Sequence, residues 1–170
     1  MTLTYTTSNP IFTIRFADRN DISLIHRFIL SLAEYEKMLD KVIATEAKLM
    51  RTLFDEPQAE VLIAMEYGQP IGFALFYKTY STFQGNAALF LEDLFIDPEY
   101  RRKGYGKLMF SCLATIARER GYSRIDWLCL AWNHPSIEFY KSIGAVPLQD
   151  WTLFRLQNEF IIKLADQMKK

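Results

Sequence analysis

The stretch ALFLEDLFIDPEYRRKGYGKLMF, residues 88–110, constrains the fold more than any other. Residues 88–96 are of β type and end at Asp97-Pro98, a pair that stops a strand. Beyond the glycines Gly104 and Gly106, residues Leu108, Met109, Leu113, Ile116 and Ala117 share one face of a helix expected over 106–120. The first N–H groups of such a helix lack intrahelical acceptors and carry partial positive charge, so its opening suits an anion. Glycine removes the Cβ atoms that would hold a ligand away from those amides, and Arg101, Arg102 and Lys103 can add charge-assisted contacts. A solvated basic turn capped by glycine is the competing reading of these residues alone. The order fits neither G-x-x-x-x-G-K-[ST] nor G-x-G-x-x-G. The expected anion is therefore a pyrophosphate other than a nucleoside triphosphate or NAD, and coenzyme A is the commonest of these.

The remaining elements follow from periodicity. IFTIRF, 11–16, reads as a strand. Asp18 offers an N-cap, with Asp21 three positions on, to a helix in which Ile22, Ile25, Phe28, Ile29 and Leu32 recur at helical spacing. A short helix is expected from Thr45 to Phe54, then a hairpin of VLIAM (61–65) and IGFALFY (71–77). Gly121 stands where a left-handed residue ends a helix, and IDWLCLAW (125–132) reads as a strand. Pro135 suits the first turn of a helix reaching Ser142-Ile143. WTLFRL and EFIIKL read as a closing pair of strands. Helices join some strands and tight turns join others, so the sheet should be mixed.

Composition limits the partners. The chain has 170 residues, enough for one domain, with residues 1–10 expected to be flexible. Lys+Arg and Asp+Glu each number 20, so no net field gathers nucleic acid or an acidic membrane. Cys112 and Cys129 lack metal-ligand spacing and read as reduced, buried thiols. The start, MTLTYTTSNP, has no basic and apolar order of a signal peptide, and no apolar run reaches the ~20 residues that span a bilayer. A cytoplasmic protein without a metal is expected.

Two blocks carry a family resemblance. LFLEDLFIDPEYRRKGYGKLMF resembles the acetyl-CoA segment of the GNAT N-acetyltransferases, [QR]-x-x-G-x-[GA] after a strand. LAWNHPSIEFYKSIGA (130–145) is similar to that family's second cofactor-side block. LAEYEKM, LEDLF and WNHPSIEFYK are further like the spermidine/spermine (diamine) and thialysine N-acetyltransferase group, and the likeness runs from about Thr13 to Leu164. The resemblance implies an α/β, α+β-like fold with a mixed, mostly antiparallel twisted sheet flanked by helices, formed by the whole chain as a single GNAT domain. It implies acetyl-CoA as co-substrate and a small primary amine as acceptor.

The resemblance also implies roles. Leu94, Phe95 and Ile96 would pair with the pantetheine, and Arg101, Arg102, Lys103, Gly104, Tyr105, Gly106 and Lys107 would hold the pyrophosphate. Asn133, His134, Pro135 and Ser136 would line the other side of the cofactor slot. Tyr140 would return a proton to the departing sulfur. A phenol is neutral at pH 7, so it can wait there without a buried charge. Without the resemblance, Tyr140 reads as a packed helix aromatic.

Glu92 and Asp93 lie inside an apolar strand, where alternation sends them to opposite faces and a covered carboxylate is costly unless paired or functional. The resemblance places Glu92 at the amine, as ammonium partner and as a candidate base acting through water; a structural ion pair is the alternative. Asp93 either orients backbone groups or touches substrate. Tyr35 and Glu36 match the group's substrate-contacting pair, although periodicity alone makes Glu36 a solvated charge. In the turn YSTFQG (80–85), polyamine-acetylating relatives place an acidic residue and a tryptophan. Ser81, Thr82 and Phe83 there are more like the thialysine branch, whose substrates are lysine-like amino acids. The alternatives are acetylation of a protein N-terminus or lysine, or an acyl-CoA-binding domain without turnover. A homodimer is expected, with the closing strands as one source of its interface.

Overall fold

Val61, Ile63 and Phe73 alternate with Leu62, Ala64 and Ala74, and all six are buried, so the central strands are covered on both faces. In the computed structural model, which describes residues 3–168, they belong to a six-stranded sheet in the order β1 to β6. The strands are β1 (Thr4–Thr6), β2 (Phe12–Phe16), β3 (Glu60–Glu66), β4 (Gln69–Ser81), β5 (Asn86–Ile96) and β6 (Ile125–Trp127). Neighbours pair antiparallel except β5 and β6, which are parallel. The sheet is mixed and mostly antiparallel, as expected.

A capped 3-10 turn, Arg19–Asp21, leads into helix α1 (Ile22–Tyr35). The Asp18 carboxylate accepts from Asn20 N at 2.8 Å, while Asp21 accepts from Asp18 N at 2.8 Å, a reciprocal cap. Helix α2 (Glu46–Met50) starts at Thr45, whose hydroxyl accepts from Lys48 N at 3.3 Å, and continues as a wider π turn over Arg51–Asp55. Ile22, Ile25 and Phe28 of α1 join Leu49, Leu53, Val61, Ile63, Phe73 and Phe95 in one core cluster. Phe28 stacks on Phe73 with centroids 5.6 Å apart, so truncating either to Ala should cost ~3–5 kcal/mol. Helix α3 (Tyr105–Glu119) covers the other face with Met109, Phe110, Leu113 and Ile116, and its Tyr105 stacks on Phe12 at 4.2 Å.

The chain up to Leu130 forms one compact unit, and residues from Ala131 onward form another. The second holds α4 (His134–Ser142) and α5 (Asn158–Ala165). Among the described residues no helix is long and apolar enough to cross a membrane.

Several expectations are corrected. Within the stretch 1–10, for which no strand is expected, Thr4–Thr6 pairs with Thr13–Arg15 of β2. EFIIKL is helical, not a strand: Phe160 and Leu164 stand four apart, and Glu159, Lys163, Leu164 and Ala165 are strong helix formers that outweigh the Ile161-Ile162 pair. WTLFRL, left without that partner, forms no strand. Only Ile125–Trp127 of the expected strand at 125–132 enters the sheet. Cys112 is buried, but Cys129 is exposed, and both are free thiols.

Candidate active site

Strand β5 organises the first unit's site. Its pairing with β4 runs Leu75 to Asp93 and then Phe76 to Leu91, which leaves Glu92 as the extra residue of a β-bulge. The bulge reverses the alternation. Leu89 and Leu91 are buried in phase with Phe76, whereas Asp93 and Phe95 lie in phase with Leu75 and Phe73 on the α1 side. The parallel ladder to β6 also stops there, at Leu91 opposite Trp127. Among the described residues, β5 from Glu92 to Ile96 has ladder pairing on the β4 side alone. Leu94, Phe95 and Ile96 therefore form a strand edge, and Ile96 O already accepts from Arg101 Nε at 2.8 Å.

From that edge the chain turns through Pro98–Tyr100 into α3. Gly104 is the residue before α3, at φ +82°, a left-handed conformation natural to glycine. A Cβ built there would meet no protein atom within 4 Å, so the approach to the turn is open. No side chain caps the helix, and the N–H groups of Tyr105, Gly106 and Lys107 belong to its unpartnered first turn. These features suit an anion such as a diphosphate.

The loop's side chains differ in use. Lys103 Nζ donates to Glu66 Oε1 at 2.9 Å, and the Tyr105 hydroxyl donates to the same oxygen. Tyr105 is buried, and that burial, then Glu66, pushes its phenol up to about 12. Arg101 lies with its guanidinium carbon 4.7 Å from the centre of the Tyr35 ring and 5.4 Å from that of Phe95. It braces the end of α1 against β5. Arg102, at φ +63°, and Lys107 are the loop cations not engaged in this way.

The sequence placed Tyr35, Glu36, Glu92 and Asp93 at an amine, and three of these act on one another electrostatically. Burial pushes the Asp93 carboxyl up to about 7, and the charges of Glu92 and Glu36 push it further in the same direction. Burial also raises Glu36, and partial desolvation, then the charge of Glu36, raises the thiol of the otherwise exposed Cys129. The Tyr77 hydroxyl donates to Glu92 at 3.5 Å. Among the described residues, none of the three carboxylates is in an ion pair. The structural ion pair considered for Glu92 is absent there. Three acids that feel one another's charge and lack a counter-charge among the described residues would suit a cation.

In the second unit, Asn133 precedes α4 and its side chain accepts from Ser136 N at 3.4 Å. Pro135 occupies the first turn, where its missing N–H costs nothing. His134 N donates to Trp132 O at 2.9 Å. Tyr140 lies in the last turn of α4, and its ring centre is 5.4 Å from that of Phe139.

Residues 28–145 match the Acetyltransferase (GNAT) family. The chain belongs to that family. A thialysine N-epsilon-acetyltransferase of Caenorhabditis elegans is 37% identical over 149 residues, covering 86% of this chain and 89% of that protein. The Bos taurus protein of the same name is 36% identical over 166 residues, covering 89% of this chain and 96% of its own. Among solved structures, an integron cassette protein from the mobile metagenome of V. cholerae superposes with a TM-score of 0.75 at 28% identity, covering 91% of this chain and 98% of that one. This chain is thus a GNAT-family N-acetyltransferase, and its sheet is the GNAT sheet.

Within this GNAT frame, sequence reasoning missed Tyr77, Glu66 and the proximity of Cys129 to Glu36. Glu66 left one trace, a carboxylate closing the apolar run VLIAME. The Ser81 turn does not reach the acids. Its hydroxyl accepts from Gln84 N at 3.4 Å and from Arg124 at 3.3 Å, and the six residue steps of strand from Asn86 to Glu92 span ~20 Å. A lysine-sized molecule at Glu92 would not extend to it along the same chain.

Proposed function

We propose that this GNAT enzyme transfers the acetyl group of acetyl-CoA to the primary amine of a small cationic molecule, a lysine-like amino acid such as thialysine before a diamine or polyamine. One observation carries the reading. Strand β5 bears two carboxylates at 92–93, a strand edge without β6 pairing at 94–96, and then feeds the open helix start at Gly104. The amine, acyl and diphosphate parts of the reaction would thus lie along one stretch of chain. The names of the relatives support the acceptor class.

Acetyl-CoA supplies the acyl group as a thioester, from which the amine nitrogen displaces the thiolate. Its diphosphate would rest on the amides of 105–107 with Arg102 and Lys107. Gly104 would leave them accessible. The Leu94–Ile96 edge would take the pantetheine amides; the resemblance also assigns Asn133, His134, Pro135 and Ser136 to the cofactor.

An alkylamine with pKa ~10.4 arrives protonated and must lose that proton before it can attack. Glu36 and Glu92 attract the ammonium. The Asp93 carboxyl, at about 7, has a proton affinity matched to neutral pH, which suits it to accept that proton. Tyr140 returns a proton to the sulfur; that role rests on the WNHPSIEFYK resemblance. A homodimer is part of the proposal, and Trp151, Phe154, Phe160 and Ile162, all more than half exposed, are the surface it would use.

The test is thiol release from acetyl-CoA with lysine, thialysine, ornithine, putrescine, spermidine and short peptides as acceptors. Thialysine or lysine should be fastest. Turnover with peptides alone would transfer the reading to protein acetylation. Binding of acetyl-CoA without release for any acceptor would leave a sensor domain.

A further inference from the structure

Gly104 is flanked by two residues that both reach the same oxygen atom. Lys103 Nζ donates to Glu66 Oε1 at 2.9 Å and the Tyr105 hydroxyl donates to that oxygen too, although Glu66 is 37 and 39 residues away in sequence. Glu66 is buried, at 8% exposure, and its backbone is held on both sides, opposite Phe12 on β2 and Gln69 on β4. The next residue, Tyr67, donates its N–H to Ile11 O at 2.9 Å. Tyr105 is fixed a second time by the stack of its ring on Phe12, 7° from parallel. The turn that carries these anchors contains two left-handed residues, Arg102 at φ +63° and Gly104 at φ +82°. Such a turn has no helix or ladder of its own to hold it.

We propose that Glu66 is a positioning residue for acyl-donor binding: from the end of β3 it grips both neighbours of Gly104 and sets the turn whose amides receive the diphosphate. This rests on the acetyl-CoA reading of the loop. Glu66 itself touches no ligand. The side chain of Lys103 is spent on it, so Lys103 serves the diphosphate through the main chain rather than through its charge. Lys103 and Tyr105 both hold Glu66 below the usual carboxylate range, which keeps the acceptor ionised across neutral pH.

Two accounts of Lys103 predict opposite signs. If Lys103 were a phosphate ligand restrained by Glu66, Glu66→Gln would free a cation and tighten CoA binding. If Glu66 sets the turn, the same change weakens CoA by about tenfold, the scale of one lost charge-assisted hydrogen bond. The assay is titration calorimetry with CoA, alongside KM for acetyl-CoA and for the amine. Glu66→Gln should raise the first KM and leave the second within about twofold, a split that general unfolding would not produce. Tyr105→Phe, which keeps the ring on Phe12, should weaken CoA in the same direction. It serves as the readout if Glu66→Gln fails to fold. Glu66→Gln or Tyr105→Phe binding CoA as tightly as the wild type, or more tightly, overturns the inference. Wild-type protein that binds no CoA overturns the acetyl-CoA reading itself, and this inference with it.

Discussion

Replacing Asp93 by Asn should make the protein more stable at pH 8 while barely altering it at pH 4. The carboxyl is raised from 3.8 to about 7, first by burial and then by Glu92 and Glu36, so the fold favours its protonated form. Below pH 4 both folded and unfolded chains hold the proton and the wild type suffers no penalty. Between pH 4 and 7 the unfolded chain loses the proton and the folded one keeps it, so stability falls as pH rises. Above 7 both states are ionised and the penalty is constant. About three pH decades at ~1.4 kcal/mol each give a ceiling of about 4 kcal/mol.

Urea unfolding of wild type and Asp93→Asn at intervals from pH 4 to 8.5 measures this directly, because other titrating groups cancel in the difference. The gap between the two curves should open through that window and then level. Activity runs the other way. Proton acceptance requires the carboxylate, so kcat/KM for the amine should climb through pH ~7, and the variant should lose that limb. Parallel stability curves would refute the raised carboxyl, and a kcat/KM limb retained in the variant would refute Asp93 as the acceptor.

Three further outcomes are expected. Tyr140→Phe should leave acetyl-CoA affinity intact and lower kcat by roughly 10²-fold, the low end for a positioned acid; unchanged turnover removes the assignment. Gly104→Val should weaken CoA in calorimetry and lower stability by ~1–2 kcal/mol, because valine must adopt φ +82° and place its methyls where the ligand approaches. Phe160→Glu should shift the protein from dimer to monomer in light scattering, since Phe160 is 55% exposed on α5; a wild-type monomer would discard the interface.

The residues that sequence reading placed well are those whose signal is local. A cap such as Asp18, a glycine before α3 and alternation along β3 each declare themselves within a few positions. What it could not place depends on partners far along the chain. Simple alternation put Glu92 and Asp93 on opposite faces, but the bulge makes Glu92 an unpaired insertion and turns Asp93 toward α1. A bulge is created by pairing with β4, and nothing within ALFLEDLFI announces it. Lys103 read as a phosphate ligand because it neighbours glycine, while its counter-ion lies 37 residues earlier at the end of another strand. WTLFRL and EFIIKL had strand composition, yet a strand exists only where a neighbour supplies the ladder, and the second segment satisfies its own backbone as α5. In this chain, then, the type of chemistry is written in short motifs, and the division of labour among the charged groups is written in the sheet register. Glu92, Asp93, Lys103 and Glu66 are, in sequence, simply charged residues beside apolar strands or glycine. Pairing, burial and reach alone set them apart: Glu92 is the bulge residue that accepts from Tyr77, Asp93 is turned toward α1, and Lys103 and Glu66 hold each other.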